Sequence, residues 1–181
     1  MLLPSAPGAP IFLIGFMGSG KTTVGGLLAE RLHRRFIDLD AWISLESGRS
    51  VTEIFAQEGE AGFRSRETSA LQRTAQISGS VVATGGGAAS VEENLQLMLK
   101  TGPVIALLVS ATEALNRTGR HSGRPLLEEG DPLAAATNLL SRRRRFYERA
   151  DLRIETDGHT PEMIVSRILV DLNLQPAEES A

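Results

Sequence analysis

Residues 11–22 read Ile11-Phe12-Leu13-Ile14-Gly15-Phe16-Met17-Gly18-Ser19-Gly20-Lys21-Thr22: an apolar run leads straight into a glycine turn that closes on Lys-Thr. The turn fits G-x-x-x-x-G-K-[ST]. Beyond it Val24, Leu27, Leu28 and Leu32 recur at helical spacing. Strand, glycine loop and helix in that order make a P-loop. Its glycines let backbone N–H groups curl toward phosphate oxygens, and the helix N-terminus adds partial positive charge. Lys21 then reaches the β- and γ-phosphates, and Thr22 offers a hydroxyl to Mg²⁺. A nucleoside triphosphate site is the expectation.

Outward from that turn, strands and helices alternate. Residues 36–40 predict a strand ending in acids. Ser50-Val51-Thr52-Glu53 is a capping box for a helix toward Glu58, and a longer helix follows from Glu60 to about Ile77. Residues 80–84 predict a strand, with Gly85-Gly86-Gly87 directly after it. Ser90 and Ser110 each stand where a helix cap belongs. Residues 103–109, apolar throughout, predict a buried strand. Residues 118–130 are rich in Gly and Arg and lack periodicity, as a loop does. Asp131-Pro132 opens a helix to about Ala150, residues 152–156 a last strand, and Thr160-Pro161-Glu162 a last helix; the tail from Pro176 is polar. Five strands interleaved with helices predict a three-layer α/β fold with a parallel sheet, whose ligands bind at the strand C-termini.

The chain has 181 residues, 41% hydrophobic and 23% charged, which predicts one globular domain. No apolar run approaches the ~20 residues of a membrane span, and residues 1–10 lack the pattern of a secretory signal; a cytoplasmic enzyme is the expectation. With no cysteine, thiolate chemistry and Cys-ligated metal are excluded. A net charge of −3 gives no general attraction for nucleic acid. His33, His121 and His159 show no metal-ligand spacing.

Several residues carry candidate chemistry. Asp38 and Asp40, two apart on an extended segment, would point the same way. One would hold Mg²⁺ and the other orient or deprotonate an acceptor hydroxyl; the alternative is a solvated loop with Asp40 as a helix cap. The glycine triplet allows close ligand approach, or is a flexible turn. Arg64 and Arg66 lie ~200° apart on a helix, so they cannot share one pocket; Glu67, one turn on, is placed to hold Arg64, unless Arg64 is a surface residue. Arg117, Arg120 and Arg124 flank or occupy the 118–130 loop, which reads as a lid over triphosphate or as a solvated loop. Arg142-Arg143-Arg144-Arg145 suggests a nucleic-acid patch, but Ala136, Leu140, Arg143, Tyr147 and Ala150 form one helical stripe. Arg143 should therefore face inward, where a lone cation needs an anionic partner, and its neighbours should be solvated.

In this order the motifs resemble shikimate kinases: G-x-M-G-x-G-K-[ST], D-x-D, F-R, G-G-G, R-P-L-L, then an Arg four residues before a Tyr. They span essentially the whole chain. The family often has Pro between that last Arg and Tyr; here the interval is Arg144-Arg145-Phe146. The resemblance implies ATP- and Mg²⁺-dependent phosphorylation of the shikimate 3-hydroxyl, strand order 2-3-1-4-5, and a monomer; the net charge and the absence of a spanning apolar run predict no nucleic-acid or membrane partner. It implies a single kinase domain with a substrate-binding segment about 38–66 and a lid about 117–129. It places Lys21, Asp40 and Arg124 in catalysis. It places Gly18, Ser19, Gly20, Lys21, Thr22, Thr23, Arg117, Arg124 and Pro161 at the nucleotide, and Thr22 and Asp38 at the metal. Asp40, Phe55, Phe63, Arg64, Gly85, Gly86, Gly87 and Arg143 would meet shikimate, the two arginines gripping its carboxylate. The rival expectations are a related P-loop kinase for gluconate or a nucleotide, and a P-loop module that binds nucleic acid through the arginine run.

Overall fold

The structure, a computed structural model, describes residues 8–118 and 131–175. Five parallel strands form one sheet in the order β2-β3-β1-β4-β5: β1 Ile11–Gly15, β2 Arg35–Asp38, β3 Ser80–Ala83, β4 Val104–Leu108 and β5 Leu152–Glu155. Alternation along the strands divides the core between two faces. Phe12, Ile14, Val82, Val104 and Ala106 join the layer that holds α3 (Val51–Thr74), α4 (Glu92–Thr101) and α6 (Pro132–Tyr147). Ile11, Leu13, Val81, Ile105 and Ile154 face α1 (Lys21–Arg31) and α7 (Pro161–Asp171). The central strand is buried on both faces, as a parallel sheet between helical layers requires. Burying each large apolar side chain there stabilises the fold by about 2 kcal/mol. The three-layer arrangement and the strand order are those expected from the sequence.

The end of β2 departs from expectation. β2 ends at Asp38, and Leu39 already belongs to α2 (Leu39–Ser47). Asp38 is its N-cap: the Oδ1 atom accepts from the Asp40 and Ala41 N–H groups at 3.1 and 3.2 Å. Asp38 and Asp40 are thus not alternate residues of one strand, and the cap is Asp38 rather than Asp40. Leu39 and Ile43, buried at helical spacing, favour the helix over a longer strand.

Ser50 and Glu53 form the reciprocal capping box of α3, which bends at Gly59 (φ 69°, ψ −175°), so the two expected helices run on as one kinked element. Ser110 caps α5 (Ala111–Thr118) by accepting from the Glu113 N–H, and Asp131 caps α6. Ser90 does not cap. It ends a 3-10 turn, Ala88–Ser90, and α4 starts from Val91 without a side-chain cap.

Candidate active site

The loops that leave the carboxyl ends of β1, β2 and β3 meet at one edge of the sheet. On the β1 side, α1 begins after Gly20, whose φ of 90° turns the chain and which supplies no side-chain cap. The first-turn N–H groups of α1 are thereby left for an anion, with Thr22 and Thr23 exposed beside them. Ser19 is fully buried, and its N–H bonds to the Phe16 carbonyl within the loop. The Lys21 Nζ donates to the Gly15 and Phe16 carbonyls, each at 2.9 Å, so the ammonium lies over the loop. The Thr22 hydroxyl donates to Asp38 Oδ2 at 2.8 Å. Across the loop, α5 packs so closely that a Cβ on Gly18 would lie 2.8 Å from the Ala114 carbonyl. Arg117 at the end of α5 donates to the Gly18 carbonyl (3.2 Å) and to the Thr156 carbonyl (2.8 Å). Pro161 is the first residue of α7.

On the β3 side, Gly85, Gly86 and Gly87 form the floor. A Cβ on Gly85 would collide with the Glu67 carboxylate and lie 2.9 Å from Asp40 Oδ1; one on Gly87 would collide with the Arg64 guanidinium. Close approach bears on Gly85 and Gly87, where a Cβ would displace the Glu67 and Arg64 side chains, and not on Gly86, where it would meet its nearest atom at 3.5 Å. Past its bend, α3 carries Phe63, Arg64 and Glu67. Phe63 stacks on Phe55 with ring centroids 4.6 Å apart. Arg64 Nη1 donates to Glu67 Oε2 at 2.7 Å, and Nη2 to Glu60 at 3.1 Å. Arg66 points elsewhere and binds Glu58, as the helical phase predicts. From α6, Arg143 reaches in with only 7% exposure and donates to the Gly86 carbonyl at 2.9 Å. Tyr147, one turn on, donates to the same oxygen at 3.2 Å, and the Phe16 ring lies 5.7 Å from the Arg143 guanidinium carbon. Arg142, Arg144 and Arg145 are exposed, as the stripe predicts.

Arg64, Gly87 and Arg143 line one cleft of about 420 Å³. The two cations in it differ electrostatically. Burial lowers the pKa of Arg143; Tyr147 counters this and neighbouring Arg64 adds to it. Arg64 is also lowered by burial, but Glu67 and Glu60 more than offset that. Burial raises the Glu67 carboxyl; Arg64 pulls it down and Asp40 pushes it up again. Burial likewise pushes the Tyr147 hydroxyl up to about 12, so it is a neutral donor. Glu67 was legible only as the holder of Arg64; its place beside Asp40 depends on β2 and β3 being neighbours. Tyr147 and Phe16 were not assigned from sequence, although the α6 stripe contained the signal for Tyr147. Arg120 and Arg124, and the lid beyond Thr118, lie outside the described residues.

The Glu67 shift has a consequence for stability. The ordinary carboxyl value is 4.5, and that of Glu67 is higher in the fold. Between those values the native state holds more proton than the unfolded chain, so this contribution is complete below about pH 4.5 and is lost as pH rises through the native value. Glu67→Gln removes that slope. In thermal melts from pH 4.5 to 8, the melting temperature of the variant relative to the parent should rise with pH; a constant difference, or one that falls, rejects the assignment.

Comparison with known proteins bears on sequence and fold. The family model described as shikimate kinase matches residues 17–173. A shikimate kinase of Bordetella avium is 46% identical over 164 residues, covering 90% of this chain and 78% of that protein. One from Chromohalobacter salexigens is 42% identical over 160 residues, covering 88% and 89%. The solved shikimate kinase of Acinetobacter baumannii in complex with shikimate superposes with a TM-score of 0.87 at 38% identity, covering 91% of this chain and 93% of that one. By its matched sequence, strand order and fold, the chain belongs to the shikimate kinase family.

Proposed function

We propose that the chain transfers the γ-phosphoryl group of ATP to the 3-hydroxyl of shikimate. The observation that carries this reading is the convergence of two inward arginines on the glycine floor, Arg143 at Gly86 and Arg64 at Gly87, across from the P-loop. Two guanidiniums in one half-buried cleft suit a carboxylate, which both can grip through parallel hydrogen bonds. In this reading Phe55 and Phe63 wall the ring, and Asp40 accepts the hydrogen bond of the reacting hydroxyl. The hydroxyl oxygen forms the new bond to phosphorus, the bridging P–O bond to ADP breaks, and the hydroxyl proton leaves toward Asp40 or water. Lys21 exchanges its loop carbonyls for phosphate oxygens, and Gly18, Ser19, Gly20, Thr22 and Thr23 supply the loop and first helical turn around them. Arg117 and the segment at Pro161 flank the base. Arg124, and a lid over about 117–129, enter this proposal through the family resemblance.

A Mg²⁺ site at Thr22 and Asp38 belongs to the same proposal. Two hard oxygen donors in hydrogen-bond contact fit that ion. Among the described residues no group of three or more His, Cys, Asp or Glu could hold a metal, and Mg²⁺ asks for only one or two side-chain oxygens beside phosphates and water. When bound it would neutralise charge on the phosphates. A single kinase domain, acting as a cytoplasmic monomer without a nucleic-acid or membrane partner, completes the proposal. A net charge of −3 supports it, and no helix among the described residues is long and apolar enough to cross a membrane.

The test is coupled ADP release with ATP and Mg²⁺ across shikimate, gluconate, nucleoside monophosphates and no acceptor. Shikimate should stimulate release, with turnover on the order of 1–100 s⁻¹. Stimulation by gluconate or AMP but not by shikimate rejects the reading.

A further inference from the structure

The cleft that holds Arg64 and Arg143 has two more guanidiniums at its rim, Arg142 and Arg145. They differ in what they touch. Arg145 lies over the Phe146 ring, 4.7 Å from its centroid, and its charge is felt by Glu92. Arg142 makes no ion pair, ring contact or side-chain hydrogen bond among the described residues. Glu60 is the one acid among the described lining residues, and it is engaged with Arg64. The remaining lining includes Val91, Leu139 and Phe146, an apolar wall that screens charge poorly. A chain of net charge −3 thus gathers four arginines and one acid around the cleft that Arg64 and Arg143 share. Low-dielectric walls around charges of one sign focus the field and draw in a ligand of the opposite sign.

Arg144 is the natural comparison. It carries the same charge two residues from Arg142, but its side chain is 80% exposed and paired with Glu148 at 2.8 Å. It lines a different cleft, behind Phe16, Leu140 and Tyr147. The helical phase that turns Arg143 inward sets Arg142 on the acceptor side of α6 and Arg144 on the other.

We propose that Arg142 is an outer capture point for the acceptor's carboxylate. It holds the anion at the cleft mouth before Arg64 and Arg143 take it, and so sets how readily substrate is captured without acting on the transferring phosphoryl group. The proposal rests on the acceptor being a carboxylate, as in the function proposed above. A residue that acts through charge at a solvated mouth affects capture, and its effect fades as salt shortens the screening length from ~30 Å at 0.01 M to ~4 Å at about 0.5 M.

The experiment compares the parent with R142Q, R142K and R144Q, measuring kcat and kcat/KM for shikimate at about 20 mM and about 500 mM ionic strength. At low salt R142Q should lower kcat/KM by about two- to fivefold with kcat unchanged, and the deficit should vanish at high salt. R142K should restore the parental value, because charge rather than fork geometry is at work. R144Q, with the same change in net charge, should match the parent. Equal losses in R142Q and R144Q reduce the effect to overall charge and overturn the proposal. So does a loss in R142Q that persists at high salt or appears in kcat, since either marks a direct or structural role. If the parent itself shows no shikimate-dependent ADP release, the functional reading fails, and that result is distinct from equal behaviour of R142Q and R144Q in an active parent.

Discussion

Lys21→Met lowers turnover by roughly 10²–10³-fold while the fold stays intact. In the proposed function the ammonium is the charge aimed at the transferring phosphoryl group, and the transition state spreads negative charge over oxygens that Met cannot stabilise. The structure offers a competing role, because Lys21 Nζ also ties together the Gly15 and Phe16 carbonyls. The two roles differ in what they move. A charge-assisted bond to a carbonyl contributes about 1.5–3 kcal/mol net to the fold, so loss of a brace shows in the melting temperature, whereas loss of phosphoryl stabilisation shows in turnover with the melting temperature little changed. Coupled ADP release gives turnover, and thermal melting followed by circular dichroism gives the fold. A folded variant with near-parental turnover shows that Lys21 is a loop brace and not a catalytic group. A collapse of the melting temperature assigns the lost activity to unfolding.

What was legible in the sequence was what neighbouring residues decide among themselves. The P-loop is contiguous because strand, turn and helix N-terminus must all touch one phosphate chain. The inward turn of Arg143 followed from its phase with Ala136, Leu140 and Tyr147, all buried or half-buried on α6. The Arg64–Glu67 pair followed from their spacing of three on a helix. The misreading at Asp38-Leu39-Asp40 has a local cause as well: acid-apolar-acid alternation satisfies both a strand end and the first turn of a capped helix, and only the burial of Ile43 further on separates them. Ser90 stood where a cap belongs, but it ends the turn over Ala88–Ser90 half-buried, with its Oγ turned in and without a hydrogen-bond partner among the described residues. The meeting of Glu67 with Asp40 above Gly85 lay beyond local reasoning. It exists because β2 pairs with β3 in parallel register, Asp38 opposite Ala83, and brings loops 45 residues apart to one edge.

Arg143→Ala weakens shikimate binding by about 10²-fold, a loss of roughly 3 kcal/mol, while protein stability holds or improves. Both halves follow from the burial of the guanidinium. Arg143 is 7% exposed and lies near Arg64, and its pKa is lowered by burial first and by that neighbour among other causes, so the fold without ligand carries the cost of a poorly compensated cation. Within the fold Arg143 donates to the Gly86 carbonyl, an oxygen that Tyr147 also serves at 3.2 Å and would continue to serve after the substitution. Little structural satisfaction is lost. In the proposed function the cation is instead matched by an arriving carboxylate, and at a side chain only 7% exposed such a charge-assisted pair is worth more than at a surface. Arg143→Lys should recover only part of the affinity, because an ammonium keeps the charge but not the fork that spans two carboxylate oxygens. Titration calorimetry with shikimate and thermal melts of the parent, the two Arg143 variants and Arg144→Ala decide the matter. Unchanged affinity in Arg143→Ala removes Arg143 from the carboxylate site. Weakened affinity together with a sharp drop in melting temperature makes it a structural residue, and full recovery in Arg143→Lys removes the two-point grip from the account of how the acceptor is held.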